Sequence, residues 1–320
     1  MIIVTGGAGM IGSNIVRKLN AKGINNIIIV DNLKNGKKCK NLSNLDFVDY
    51  VDKDDFLNLI NFKNFSEDIK VIFHQGACSS TTEWDGKFIM KNNYEYSKQI
   101  LHWSQNNNIQ FINASSASVY GLGLKGFREE RECELPINMY AFSKFQFDQY
   151  IRKLKNKTSQ IVSLRYFNVY GPNEYHKGDM ASMVFKFNDQ IINEGKCKLF
   201  EGNLGYENGE QRRDFIYVED CVDINIWFMN NPTKSGIYNV GSGQSKTINE
   251  LAEIVQKWHK NKNKSSNNLI EYIPFPNHLE GSYQNFTEAD LNKLRNIGYE
   301  KEFINLEEGI TSYLNYLNLN

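Results

Sequence analysis

A tyrosine and a lysine four residues apart, in Tyr140-Ala141-Phe142-Ser143-Lys144, form the pair in this sequence best suited to move a proton. On a helix, that spacing sets both side chains on one face. A phenol ordinarily titrates near pH 10 and is a poor base at neutrality. A nearby ammonium favours the phenolate and lowers that value. The pair can then exchange a proton with an alcohol, provided something else takes the hydride. Taken alone, it also fits a half-buried aromatic beside a surface lysine. What sharpens it is the preceding apolar run, which ends in Ala114-Ser115-Ser116-Ala117-Ser118. A serine there can hydrogen-bond the same reacting oxygen; Ser116 is favoured, with Ser115 its close rival.

The hydride acceptor is suggested at the start of the chain, in Val4-Thr5-Gly6-Gly7-Ala8-Gly9-Met10-Ile11-Gly12. Gly6, Gly9 and Gly12 let the backbone turn tightly and approach a pyrophosphate. The helix that follows would offer free N–H groups and the positive end of its dipole. The pattern directly follows a strand and opens an amphipathic helix, which separates a dinucleotide site from an ordinary turn. Asp31 ends the next strand, 22 residues after Gly9. An acid there accepts from the adenosine ribose hydroxyls and favours NAD. Lys38 and Lys53 lie downstream and suit the 2′-phosphate of NADP, so these residues leave both cofactors open.

Elements that alternate strand and helix must carry these residues. Strands are expected at Ile2–Val4, Ile27–Val30, Phe47–Val51, Val71–Phe73, Phe111–Ala114 and Ile161–Leu164. Helices are expected at about Met10–Lys22, Lys87–Asn106 and Tyr140–Leu154. The rhythm predicts an α/β fold: a Rossmann-type, doubly wound parallel sheet of short apolar strands covered on both faces. After Arg165 the rhythm breaks into loops rich in Gly and Asn. A smaller, discontinuous substrate-binding domain is expected over 168–213 and 243–320, with 1–167 and 214–242 forming the dinucleotide-binding domain. In the latter, Asp214–Val218 reads as a strand and Val218–Met229 as a helix. Lys260–Asn268 is polar and reads as an exposed loop.

The 37 basic and 37 acidic residues among 320 balance, which argues against a nucleic-acid-coating or membrane-surface protein. Cys39, Cys78, Cys133, Cys197 and Cys221 are odd in number and never spaced C-x-x-C. A disulfide framework is not expected, and no cluster has metal-ligand spacing. No apolar run has membrane-span length, and Met1–Thr5 reads as strand, leaving no room for a signal peptide. A cytoplasmic location is expected. His74 reads as a packed, hydrogen-bonded histidine. Phe142, Phe145 and Phe147 are expected to pack the sheet.

The glycine turn, the serine-ended strand and the Tyr140/Lys144 pair together resemble the extended short-chain dehydrogenase/reductase family, which works on nucleotide sugars. The resemblance covers nearly the whole chain. Dehydratases of that family typically carry an Asp-Glu pair just before Val-Tyr-Gly; here Ala117 and Ser118 precede Val119-Tyr120-Gly121. That favours epimerisation or simple redox chemistry. Longer segments are similar to the branch that epimerises C6 of an ADP-linked heptose for the lipopolysaccharide core. They are Gly76-Ala77-Cys78-Ser79-Ser80-Thr81-Thr82-Glu83-Trp84-Asp85-Gly86-Lys87, Arg165-Tyr166-Phe167-Asn168-Val169-Tyr170-Gly171-Pro172, His176-Lys177-Gly178, Tyr272-Ile273-Pro274-Phe275-Pro276 and Gly281-Ser282-Tyr283-Gln284.

The resemblance implies that C6 is oxidised by tightly bound NADP to a 6-keto intermediate, which reorients and is reduced on its other face. It implies a second base, which falls on Lys177. The implied cofactor contacts are Met10, Ile11, Asp31, Asn32, Lys38, Lys53, Gln75, Gly76, Ala77, Cys78, Ser79, Asn92, Lys144, Val169 and Lys177. The implied contacts to ADP-heptose are Asn168, Asp179, Lys186, Phe200, Glu201, Gly202, Asn203, Arg213 and Tyr283; a guanidinium binds diphosphate oxygens in pairs. A homo-oligomer, a pentamer, is implied as well. Gln75, Asp179 and Lys186 depart from the Glu, Ser and His expected of that branch, and Gly202–Gln211 is longer than usual. A UDP-sugar 4-epimerase or another nucleotide-sugar oxidoreductase of the family would share every motif but the substrate loops. A sensor that has lost catalysis would be expected to lack Tyr140 or Lys144.

Overall fold

Two short β-branched runs set the pattern. β1 (Ile2–Thr5) and β2 (Ile27–Asp31) are buried along their whole length, as strands covered on both faces must be. The computed structural model describes residues 1–320 except 62–67, 263–268, 277–280, 282 and 320. Between those two strands lies α1 (Met10–Asn20). After them come β3 (Asp49–Asp52), α2 (Lys53–Asn61), β4 (Val71–His74) and α3 (Gly86–Ile89). α3 runs through a π-helical turn at Met90–Glu95 into α4 (Tyr96–Asn106). β5 (Gln110–Ser116), α5 (Met139–Lys153) and β6 (Ile161–Tyr166) complete the first half.

The second half holds β7 (Asn168–Tyr170), α6 (Met183–Glu194), β8 (Lys196–Phe200), β9 (Arg212–Tyr217), α7 (Val218–Asn230) and β10 (Gly236–Val240). Then follow β11 (Ser245–Thr247), α8 (Ile248–Lys262), β12 (Leu269–Ile273), α9 (Asn292–Asn296) and α10 (Leu306–Leu317).

Seven strands form one parallel sheet in the order β10-β6-β5-β4-β1-β2-β3. The chain builds outward from β1 in one direction through β2 and β3, then returns to β4 and builds the other way. That reversal opens a crevice beyond the carboxyl ends of β1 and β4, where ligands of such sheets bind. Successive residues of each strand feed opposite faces. Val4, Ile29 and Phe73 pack with Ile15, Val16 and Leu19 of α1 and with α7. Ile3, Ile28 and Ile72 pack with Phe56 of α2, Ile100 of α4 and Phe147 of α5.

The expected strands and helices are present, most of them extended by a residue or two. β5 and β6 run on through Ser116 and Tyr166. The helix expected over Lys87–Asn106 contains the π turn, and α2 carries no strong sequence signal. The strand expected at Asp214–Val218 is β9, which pairs with β7 and β11 in a three-stranded sheet; β10 joins the main sheet beside β6. β8 and β12 form a separate parallel pair. Of the loop expected at Lys260–Asn268, the first three residues end α8, and 263–268 lie outside the described residues. Phe147 packs the sheet beside Phe111 as expected, whereas Phe145, though buried, packs with Val119, Tyr120 and Phe127 instead, and Phe142 stands 39% exposed.

Candidate active site

The glycine turn closes tightly between β1 and α1. Gly6 has φ +65°, and a side chain there would lie 2.6 Å from the Gly76 nitrogen. A side chain at Gly12 would collide with the Gly6 carbonyl. At Gly9 an added Cβ would meet one atom, the Gly6 oxygen, in a tight contact at 3.1 Å. Gly9 also caps α1 with no side-chain hydrogen bond, so the first turn keeps N–H groups for a ligand. This is a fit for a pyrophosphate.

Asp31 lies at the end of β2, and its carboxylate accepts from the Ala8 amide at 2.9 Å and from Lys38 at 2.9 Å. Lys38 sits on a 3₁₀ turn, Gly36–Asn41, and also reaches the Asn32 carbonyl. Lys53, at the start of α2, pairs with Asp54 at 2.7 Å.

The 75–79 loop crosses beside the turn. Gln75 accepts from the Tyr166 hydroxyl at 3.1 Å and donates to Asn225. Gly76 and Cys78 are held by Thr5 and by Asn93, the latter through two bonds at 2.8 and 2.9 Å. Asn93 is buried and also donates to Ser143 of α5. The neighbouring Asn92 instead bonds back to the Phe88 carbonyl. Sequence reading missed Asn93; a helical turn of irregular pitch, which alone aims it at the loop, has no clear sequence signal. His74 is buried between Thr5 (2.7 Å) and Ser97 (2.8 Å), and burial pushes its imidazole down to about 3.

Asn138 caps α5, accepting from the Ala141 amide at 2.8 Å. Tyr140 and Lys144 stand on its first turns. The Lys144 ammonium is buried and donates to the Ala114 carbonyl at 2.7 Å. Burial lowers its pKa to about 8, against the pull of Asp148. Tyr140 departs from expectation. Burial is the strongest influence and holds its phenol above the ordinary value, while a hydrogen bond with Ser116 acts the other way. Ser115 faces elsewhere and donates to Asp148 at 3.0 Å.

Lys177 lies on a 3₁₀ turn, Tyr175–Met180, beyond β7. Its ammonium is 3.9 Å from the Met10 sulfur and 3.9 Å from buried Glu174. Burial lowers its pKa, and Lys186 adds to the effect while Glu174 opposes it. Lys186 donates to the Asp179 carbonyl at 2.7 Å, so two of the unusual residues meet. Val169 lies on β7 beside exposed Asn168, which accepts from Thr287 at 3.3 Å.

Arg213 on β9 is 7% exposed, with its guanidinium 4.6 Å from the centre of the Tyr283 ring. Tyr283 packs edge-on against Phe200 and Phe275. Among the described residues no carboxylate pairs with Arg213, and burial depresses its pKa. The neighbouring Asp214 fixes this stretch by accepting from Ser242, Gly243 and Ala289 amides at 2.6, 2.9 and 2.9 Å. The Glu201–Glu210 loop closes through Gly209 onto the Phe200 carbonyl, with Gly202 held by Asn208. Among the described residues no helix is long and apolar enough to cross a membrane.

Comparison with known proteins agrees with this geometry. The NAD dependent epimerase/dehydratase family matches residues 2–241. An ADP-L-glycero-D-manno-heptose-6-epimerase from Alkalilimnicola ehrlichii is 50% identical over 315 residues, 98% of this chain and 96% of that one. The crystal structure of the ADP-L-glycero-D-manno-heptose-6-epimerase of Helicobacter pylori superposes with a TM-score of 0.85 at 31% identity, covering 100% of this chain and 96% of that one. A UDP-N-acetylglucosamine 4-epimerase from Methanobrevibacter ruminantium follows with a TM-score of 0.83 at 29% identity, covering 99% and 97%. With a family match across three-quarters of its length, and the glycine turn, Tyr140 and Lys144 that such chemistry requires, this chain belongs to the NAD dependent epimerase/dehydratase family.

Proposed function

We propose that this chain interconverts the C6 epimers of the heptose in an ADP-activated sugar, turning ADP-D-glycero-D-manno-heptose into its L-glycero form. The identity of the sugar is supported by the likeness to the heptose epimerase of A. ehrlichii, at 50% over nearly the whole chain. The observation that carries the mechanism is the presence of two proton-handling groups on separate elements. Tyr140 stands on α5, bonded to Ser116 at the end of β5, and Lys177 stands on the loop beyond β7 beside Met10. An epimerase that oxidises and re-reduces one carbon must handle the hydroxyl proton in two orientations, which one fixed group serves poorly.

In this reading Tyr140 exchanges the proton of the 6-hydroxyl in one orientation, and Ser116 shares the reacting oxygen. Lys144, anchored to Ala114, supplies positive charge beneath Tyr140. Lys177 serves the other orientation; burial lowers its pKa and so raises the share of neutral amine able to take a proton. A bound nicotinamide would supply the reversible hydride chemistry at C6. Met10, Ile11, the glycines of the turn and Gln75 to Ser79 would hold the dinucleotide, with Asn92 and Val169. NADP is preferred to NAD, because Lys38 and Lys53 flank Asp31 and Asn32. Asn168, Asp179, Lys186, Phe200 to Asn203, Arg213 and Tyr283 would hold the nucleotide sugar. The division into dinucleotide- and sugar-binding domains, a pentameric assembly, a cytoplasmic location and a place in lipopolysaccharide core synthesis belong to the same proposal.

The test is proton NMR of ADP-D-glycero-D-manno-heptose incubated with the purified protein, adding no cofactor. A mixture of the two C6 epimers is expected. No conversion, with or without added NADP or NAD, would overturn the heptose reading and direct the assay to UDP-sugars.

A further inference from the structure

One buried amide group joins three parts of the site that are far apart in sequence. Asn41, 1% exposed, ends the 3₁₀ turn that carries Lys38. Its Nδ2 donates to the Ala8 carbonyl of the glycine turn at 2.9 Å and to the Asn173 carbonyl at 3.1 Å, and lies 3.5 Å from Nδ1 of His176. Asn173 and His176 belong to the loop that bears Lys177. The same loop is held to the 3₁₀ turn by two outer bonds, from Asn35 to the His176 carbonyl at 3.2 Å and from the Tyr175 hydroxyl to the Lys37 carbonyl at 3.0 Å. Ala8, in turn, donates to Asp31, the partner of Lys38. A shift of the glycine turn is therefore passed to the Lys177 loop through Asn41, beside the bonds that tie α1 to the same loop, from Asn14 to the Pro172 carbonyl at 3.0 Å and from Asn173 to the Ser13 hydroxyl at 2.9 Å.

We propose that Asn41 is a positioning residue, which makes the placement of Lys177 follow the conformation of the cofactor-binding turn. The proposal rests on the reading of Lys177 as second base. Its physical basis is geometric. Acid/base groups act only when held near hydrogen-bonding distance of the reacting atom, and a misplacement of about 1 Å costs on the order of a hundredfold in rate. The segment from Asn173 to Gly178 contains no long regular element, so these docking bonds set where the ammonium stands. A buried carbonyl left without its donor would favour local opening of that segment.

The experiment uses the full chain with its cofactor bound. Hydrogen exchange is read at residues 173–181, where the Lys177 amide bonds Glu174 and the Ala181 amide bonds Gly178. Asn41→Ala is expected to speed exchange there about tenfold while leaving β1 and β4 to β6 protected. Its kcat for epimerisation should fall about tenfold with KM little changed, and combination with Lys177→Met should add no further loss. If Asn41→Ala loosens the whole sheet, Asn35→Ala decides, since it removes no buried group, only an exposed bond to the same loop and the cap that Asn35 gives the Lys37 amide; faster exchange confined to 173–181 supports the proposal. Unchanged exchange at 173–181 overturns it, as does a loss that multiplies with that of Lys177→Met. Full activity in Lys177→Met alone would sink the second-base reading instead, and the exchange measurement would still decide the docking role.

Discussion

Ser115 and Ser116, neighbours at the end of β5, meet different residues of α5: Ser116 bonds the phenol of Tyr140, and Ser115 donates to buried Asp148 at 3.0 Å. The alternation of a strand separates them, one toward the crevice and one toward the packed interior. Their alanine variants should therefore fail differently. Ser116→Ala is expected to lower kcat by about 10- to 100-fold with unchanged stability, as loss of a hydrogen bond to a reacting oxygen does. Ser115→Ala is expected to cost about 1 kcal/mol of stability, the worth of a buried hydrogen bond, and little activity. Steady-state kinetics and urea titration of both variants check this, and a larger kcat loss in Ser115→Ala would reverse the assignment.

His74 predicts how the fold responds to acid. Burial holds its imidazole neutral, with a pKa of about 3 in the folded chain against about 6.5 when unfolded. A depressed value means that the unfolded chain binds the proton more readily. The stability is fully present above pH 6.5 and is lost as pH falls toward 3, by ~1.4 kcal/mol per unit for this one group. His74→Gln, which can still bridge Thr5 and Ser97, should flatten the dependence by about one proton. Urea midpoints between pH 7 and pH 4.5 measure it. An equal slope in both proteins would show that His74 is not the group responsible.

The glycine turn separates folding from binding. A side chain at Gly12 would strike the Gly6 carbonyl, whereas at Gly9 it would press on one oxygen at 3.1 Å, which a shift of a few tenths of an ångström relieves. Gly12→Ala should destabilise by about 1–3 kcal/mol, the usual cost of overpacking. Gly9→Ala should keep its melting temperature within a few degrees of the parent yet lose cofactor, because its methyl fills the approach to the helix N-terminus. Thermal scans paired with cofactor release on denaturation test both. Retention of cofactor by Gly9→Ala would show that the pyrophosphate lies elsewhere.

The sheet was legible because its strands are continuous runs of Ile, Val and Phe, and because the glycine turn punctuates the first of them. Tyr140 and Lys144 were legible by their spacing on one helix. The residues that hold the site together were not. Asn41, Asn93 and Asp148 act across 15 to 132 positions of sequence, on loops and helices whose own patterns are silent about them. The electrostatics also escaped the sequence. The pairing of Tyr140 with Lys144 suggested a lowered phenol pKa, but burial raises that of Tyr140 and lowers that of Lys144, and what opposes burial at the phenol is its bond with Ser116. How far each group is shut off from water depends on tertiary packing, which spacing does not record.

Arg213 offers the sharpest separation of binding from stability. A guanidinium buried beneath Tyr283, with no carboxylate partner among the described residues, carries an uncompensated desolvation cost in the free protein. An anionic ligand would supply the missing charge, and a diphosphate suits its planar fork. Arg213→Met should therefore fold at least as stably as the parent, since it fills similar space without the charge. Its affinity for ADP should fall by about 10- to 100-fold, the loss of one or two charge-assisted hydrogen bonds at ~1.5–3 kcal/mol in all. Arg213→Lys should recover only part of it, because a point charge cannot bond two oxygens at once. Calorimetric titration with ADP, beside thermal unfolding, reads both effects. Undiminished ADP binding in Arg213→Met would remove Arg213 from the substrate site, and a large loss of stability would show that its charge is already compensated within the fold.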